Sequence, residues 1–147
     1  MQTLFVVHVM ATLYMVGLIW FVQLVHYPLF DHVGDQRFVD YQRQHMARTT
    51  WAVGPAMLTE MLGAVMLCLF PIPTLSPWAI WLAMALLVII WISTALLQVP
   101  RHERLLSDGF DAHEHRRLVR SNWIRTVAWS MRGVLVTWML AVEIVPS

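Results

Sequence analysis

Lysine is absent from this 147-residue chain: all ten basic residues are arginines. There is one cysteine, Cys68, which excludes an intrachain disulfide and a thiolate metal cluster. Charged residues make up only 13% of the sequence, and between positions 61 and 100 there is neither a charge nor a histidine. A hydrocarbon slab of about 30 Å takes roughly 20 apolar residues per helix, so this uncharged run holds almost two membrane crossings. No serine stands in a nucleophile-elbow context, no glycine-rich phosphate loop occurs, and no internal repeat or low-complexity tract marks a second domain.

What is present is hydrophobic, 59% of the chain, too much for a soluble domain of this size. Four apolar spans are expected, at about 3–27, 51–70, 78–99 and 122–145, in one domain covering 1–147. The three prolines of "PIPTLSP" (71–77) force a tight exit and return between the second and third. The first span lacks the basic flank and small-residue cleavage site of a secretory signal, so it is expected to stay attached. Eight arginines sit in the stretches 28–50 and 100–121, and none in 71–77 or at either terminus. The positive-inside rule then puts both long loops in the cytoplasm and both termini outside. The expected fold class is an all-α integral membrane protein, a four-helix transmembrane bundle with two amphipathic cytoplasmic loops. Its expected setting is the lipid bilayer of the cell membrane, that of a bacterial inner membrane, and no nucleic-acid partner is implied by a net charge of +1. Phe38, Tyr41, Gln42 and His45 recur at helical spacing in the first loop, which suits a piece lying on the membrane surface.

The polar residues inside the spans share helix faces. Asn122, Arg125, Thr126, Trp129 and Arg132 fall on one side of the fourth span; His8, Thr12, Gln23 and His26 form a stripe on the first. Counting about 1.5 Å per residue, Glu60 lies roughly 14 Å in from Trp51 and Arg132 roughly 15 Å in from Asn122. Both should therefore meet near mid-depth. Each alone costs on the order of 2.5–3.5 kcal/mol in a membrane, which pairing would relieve, as a structural clamp or as part of a ligand pocket. Nearer the arginine-rich side, Gln23, His26, Gln98, His102, Asn122 and Arg125 gather at the inner ends of three spans and suggest a polar cavity.

Six of the seven histidines lie on that side: His26, His32, His45, His102, His113 and His115. The "HEH" at 113–115 offers ligand types, but residues two apart on a helix point away from each other, and no metal site is expected there. His8 and His26 are the only histidines within the spans; about 27 Å apart on one helix, they cannot share a haem. A haem on His8 alone stays open, beside the plainer role of a hydrogen-bonded packing group.

The segment "LLQVPRHERL", with "LVRSNWIRTVAW" after it, resembles the small four-span membrane proteins of the anthrone-oxygenase-like family. Gln98, Val99, Pro100, His102 and Leu105 occupy the turn after that family's third span, and Asn122, Arg125 and Thr126 its Asn-x-x-Arg-Thr stretch, with Gln98 and His102 standing where the family usually shows Asn. The first half is similar to membrane protoporphyrinogen oxidases of the HemJ type, through His8 ahead of Trp20 and Phe21 and through "GPAM" in the second span; the lysine those enzymes use is missing here. Both resemblances imply oxidation of a flat, multi-ring compound that partitions into the membrane.

Three functions stand as alternatives. The first is a redox enzyme or oxygenase acting on a hydrophobic aromatic small molecule. In it His26, His102, Arg125, Arg132 and Glu60 would be catalytic, and Gln23, Gln98, Asn122 and Trp129 would bind substrate. The second is a haem-binding redox or haem-handling protein using His8. The third is a non-enzymatic membrane subunit, and in any of them a homo-oligomer is open. The topology has a direct test: a reporter fused after Ser147 is expected to be active only on the outer side of the membrane, and a signal confined to the cytoplasm would invert the orientation.

Overall fold

A computed structural model describes residues 1–144, all helical or turn with no strand among them. Position 145, the end of the fourth expected span, and Ser147 lie outside the described residues. Helix α1 (Gln2–Phe21) runs on through a π turn (Val22–His26) and a 3₁₀ turn (Pro28–His32). Helix α2 covers Asp35–Leu69, α3 Pro77–Ser93, a second π turn Thr94–Gln98, α4 Val99–Ser107 and α5 Ala112–Ile144. This makes four rods, Gln2–His32, Asp35–Leu69, Pro77–Ser107 and Ala112–Ile144, each long and apolar enough to cross a membrane.

The breaks between rods follow from local chemistry. Gly34 and Gly109 take φ of 79° and 83°, a left-handed conformation that costs a side-chain-bearing residue energy, and each lets the chain reverse. Pro77 starts α3 as its first residue, where the missing N–H would have no partner anyway. Pro28 and Pro100 each follow a π turn that begins six residues earlier, at Val22 and Thr94. A proline ring clashes with the carbonyl four residues back and removes one donor, and the wider π turn gives that carbonyl room.

The stretch 28–50 is not the separate amphipathic piece that its spacing suggests. From Asp35 on it is the start of α2, a single helix of 35 residues, about 52 Å long, well beyond a hydrocarbon slab of about 30 Å. The connection 100–121 is likewise taken up by α4 and the first turns of α5. The reason is burial: Phe30, Phe38, Leu105 and Leu118 pack into a core of their own past the end of the apolar spans. Two further cores stack along the axis. Met15, Ile19, Met57, Ile90 and Trp129 occupy the middle, and Phe5, Leu67, Ala79, Val136 and Met139 the end closed by the proline loop. The outward faces are as apolar as the cores. Leu96 is 68% exposed and Val134 74%, an arrangement stable only where the surroundings are apolar too.

At mid-length the four rods converge on one side chain. Arg132 of α5, fully buried, donates from Nε to Glu60 Oε1 of α2 at 3.3 Å and from NH2 to His8 Nε2 of α1 at 3.0 Å. It also donates from NH1 to the Ala83 carbonyl of α3. Trp129 Nε1 gives the other Glu60 oxygen a hydrogen bond of 3.0 Å. An arginine only donates, so His8 Nε2 accepts and its ring is neutral. Gly63 makes the approach of α1 and α2 feasible, since a Cβ there would lie 2.5 Å from His8 Nδ1.

Removing one partner of such a pair leaves a buried charge without compensation. Glu60→Gln or Arg132→Met is expected to cost about 3–5 kcal/mol, with the double substitution recovering much of it. Thermal unfolding in detergent measures this; strictly additive losses would show that the pair carries no coupling.

Candidate functional site

Between the central arginine cluster and the basic end lies a cavity of about 370 Å³ with a polar floor and apolar walls, in the lower part of the range for small-molecule sites, about 300–1,000 Å³. Tyr27, His45, Gln98, His102 and Arg125 contribute the floor; Val53, Met57, Leu58 and Trp91 contribute walls. Its mouth lies on the flank of the bundle between α2 and the α3–α4 rod, where Thr50, Leu58 and Val99 are exposed.

Both π turns serve this cavity. The first ends at His26, beside Tyr27, and the second at Gln98. Each inserts an extra residue per turn, which rotates the next turn relative to a regular α-helix and sets Tyr27 and His102 facing one another. Tyr27 Oη and His102 Nε2 are 2.9 Å apart. Gln42 Nε2 lies 2.7 Å from His102 Nδ1 and donates to the His102 carbonyl at 3.2 Å. An amide N–H₂ cannot accept, so His102 Nδ1 is the acceptor and Nε2–H donates to Tyr27. The Tyr27 hydroxyl hydrogen is then left to be given to something else. His115 Nε2 holds the Tyr27 backbone through its carbonyl at 2.8 Å, fixing the ring from the far side.

Arg125 is the unusual group. It is 7% exposed, and no described carboxylate lies within salt-bridge distance. Its Nε has no hydrogen-bond partner, while the guanidinium carbon rests 5.2 Å from the centre of the Trp129 ring. The cation–π contact offsets part of the desolvation, on the order of 1–2 kcal/mol, against a penalty of several kcal/mol for a buried charge. Arg125 is thus a buried guanidinium at the floor of the cavity, beside Tyr27 and without a carboxylate partner among the described residues. Three other polar atoms nearby also lack partners: Gln98 Oε1, Gln42 Oε1 and Trp91 Nε1.

The residues singled out from sequence therefore divide into three groups. Gln98, His102 and Arg125 line the cavity. His8, Glu60 and Arg132 belong to the central cluster, and Trp129 joins the two, its N–H on Glu60 and its face under Arg125. Gln23 and Asn122 do not line the cavity. Gln23 Oε1 accepts from Asn122 Nδ2 at 2.9 Å, and Gln23 Nε2 donates to the Val119 carbonyl at 3.3 Å, tying the first π turn to α5. Both are buried, and Asn122 Oδ1 has no hydrogen-bond partner. His26 stands one layer behind the cavity, with Nε2 2.8 Å from His45 Nδ1. His45, Tyr27 and Gln42 are positions at this candidate site that the sequence alone does not mark. The i, i+4, i+7 spacing of Phe38, Gln42 and His45 defines their face but gives no sign of whether it turns inward.

A haem does not fit at His8. Its Nε2 is engaged by Arg132 and its Nδ1 side is closed by Gly63, where even a methyl group has no room. Among the described residues no group of three or more His, Cys, Asp or Glu is arranged to hold a metal ion.

His45 and His102 lie beyond the apolar spans 51–70 and 78–99. Burial, with His26 adding to it, holds the His45 imidazole down at about 4; burial, then His45, Arg125 and His26, hold His102 at about 3. Both therefore bind a proton less readily in the fold than when it opens. Stability from this source is full above the ordinary imidazole value of 6.5 and is lost as pH falls below it, by about 1.4 kcal/mol per pH unit for each group. The melting temperature in detergent should drop as pH is lowered from 7 toward 5, and less steeply in His45→Gln; a flat profile would mean that the histidines are as protonated folded as unfolded.

Comparison with known family models, curated proteins and solved structures yields no match.

Proposed function

We propose that the protein is a multi-pass membrane oxidoreductase that binds a hydrophobic, ring-bearing acid in the cavity and oxidises it. The observation that carries this reading is Arg125, a buried guanidinium without a counter-charge at the floor of a pocket walled by Trp91, Met57 and Leu58. The arginine would neutralise a phenolate or enolate, the ring system would lie against Trp91, and His45 would take the proton. Charge stabilisation in a water-poor site, together with a positioned base, is the way such a group is activated. With dioxygen as the oxidant, an activated ring methylene would become a carbonyl while the two hydrogens leave with the second oxygen atom as water. Glu60, Arg132 and His8 take no part in the chemistry on this reading; they hold the bundle.

The same reading sets the protein in a cell membrane with its basic end, the end of Arg104, Arg116, Arg117 and Arg120, in the cytoplasm and both termini outside. The pocket mouth on the flank then faces the inner leaflet, from which an apolar ring compound would arrive.

Binding of 2-naphthol and of naphthalene to the detergent-solubilised protein, followed by tryptophan quenching, separates the roles. Above the pH at which naphthol ionises, Arg125→Met is expected to weaken naphtholate by about 10- to 100-fold, the worth of a charged hydrogen bond. Naphthalene should be unaffected. Equal losses for both compounds would reduce Arg125 to a structural group, and saturable binding without oxidation of any phenol or ring methylene would make the chain a carrier or subunit.

A further inference from the structure

His45 is in contact with two cavities. One is the apolar-walled pocket of Arg125; the other, about 360 Å³, is lined by His26, Tyr41, Gln44, His45, Arg48 and Thr49. The second has the larger polar share of the two, and Gln44 and Arg48 at its rim are exposed. It therefore opens to water at the basic end. The wall between the two consists of the His26–His45 pair with Thr49, whose Oγ1 lies 3.1 Å from His45 Nδ1.

We infer that His26 and His45 form a two-imidazole proton relay joining the membrane-flank pocket to the water-facing cavity. The ring nitrogens touch in the order a relay needs. His26 Nε2 and His45 Nδ1 are 2.8 Å apart, so one N–H donates and one lone pair accepts. That leaves His45 Nε2 and His26 Nδ1 as the outer ends of the pair, neither taken by a hydrogen bond to the described residues. Phe30 stands edge-on to both rings, at 5.3 Å from His26 and 5.1 Å from His45, and Tyr41 flanks both at 6.5 Å. Those aromatic rings flank the junction, and the nitrogen-to-nitrogen contact is the direct route from one ring to the other.

The transfer balances without any further reactant. His45 Nε2 takes a proton from an acid in the pocket as its Nδ1 proton passes to His26 Nε2, and His26 gives up its Nδ1 proton to water. One proton leaves the pocket, one appears outside, and both rings end as the opposite neutral tautomers. Reversing the chain or turning the rings resets it. His102 cannot substitute, because both its nitrogens are committed to Tyr27 and Gln42.

The relay rests on the pocket being a site for a ring-bearing acid, and two measurements keep the two ideas apart. Ring-nitrogen NMR of the ligand-free, histidine-labelled full chain should show scalar coupling between His26 Nε2 and His45 Nδ1. The pair should also take up its protons as one coupled site; uncoupled rings that titrate independently overturn the relay whatever the pocket binds. In the second measurement 2-naphthol, made strongly acidic by a light pulse, is held at saturation, and proton arrival in bulk water is read with a dissolved indicator. His26→Ala should slow that arrival on the order of a hundredfold, and added imidazole should restore much of it through the space left. Wild-type kinetics in His26→Ala overturn the relay. Failure of naphthol to saturate any variant overturns the pocket reading instead and leaves the NMR result to decide the relay.

Discussion

Everything in this fold hangs on the neutralisation of Arg132. A guanidinium at 0% exposure, midway along four apolar rods, is tolerable only with its donors filled, and it fills them from three other helices: a carboxylate on α2, an imidazole on α1 and a main-chain carbonyl on α3. In an apolar medium the helices gain nothing from hiding hydrocarbon from one another, so polar contacts and close packing of small residues such as Gly63 decide which faces meet. One charge thereby sets the rotation of every rod. Once those rotations are fixed, the side of α5 that carries Arg125 turns inward, and so do the ends of both π turns.

The two π turns then do what a regular helix could not. Each lies six residues ahead of a proline, and each brings a polar side chain to the neighbourhood of the cavity where the surrounding sequence is almost wholly apolar. The basic end beyond them is a second folding region with its own aromatic core around Phe30 and Phe38. It holds Gln42, His45, His102 and His115 in place through its own packing. The polar groups of the pocket are thus gripped from the arginine-rich end, while its walls belong to the apolar bundle.

Much of the scaffold is legible in the sequence because periodicity and depth are one-dimensional quantities. Counting residues from the ends of the spans places Glu60 and Arg132 at one level, and the structure joins them at 3.3 Å. The stripe on the first span puts His8 on the same face. What cannot be read is anything depending on how a helix continues. Pro28 and Pro100 look like stops, yet at both the chain remains helical through a π turn, and α2 begins sixteen residues before its apolar part at Trp51. The face of Phe38, Gln42 and His45 is visible as a face, but amphipathic spacing is the same for a helix on a membrane and for one packed on Leu105 and Leu118. For that reason the sequence does not single out His45 as a site residue. It also suggests a pocket for Gln23 and Asn122, polar and inward-facing, when they bond to each other outside the cavity.

Trp129 has a consequence for how such a chain can change over time. Its indole N–H is bound to the carboxylate that neutralises Arg132, and its ring face supports Arg125 at the pocket floor. A new pocket shape that needed a smaller or differently tilted side chain at 129 would loosen the scaffold at the same stroke. Variation in what the pocket accepts is therefore confined to the opposite wall, to Val53, Met57, Leu58 and Trp91, where a substitution alters the cavity and touches none of the charges.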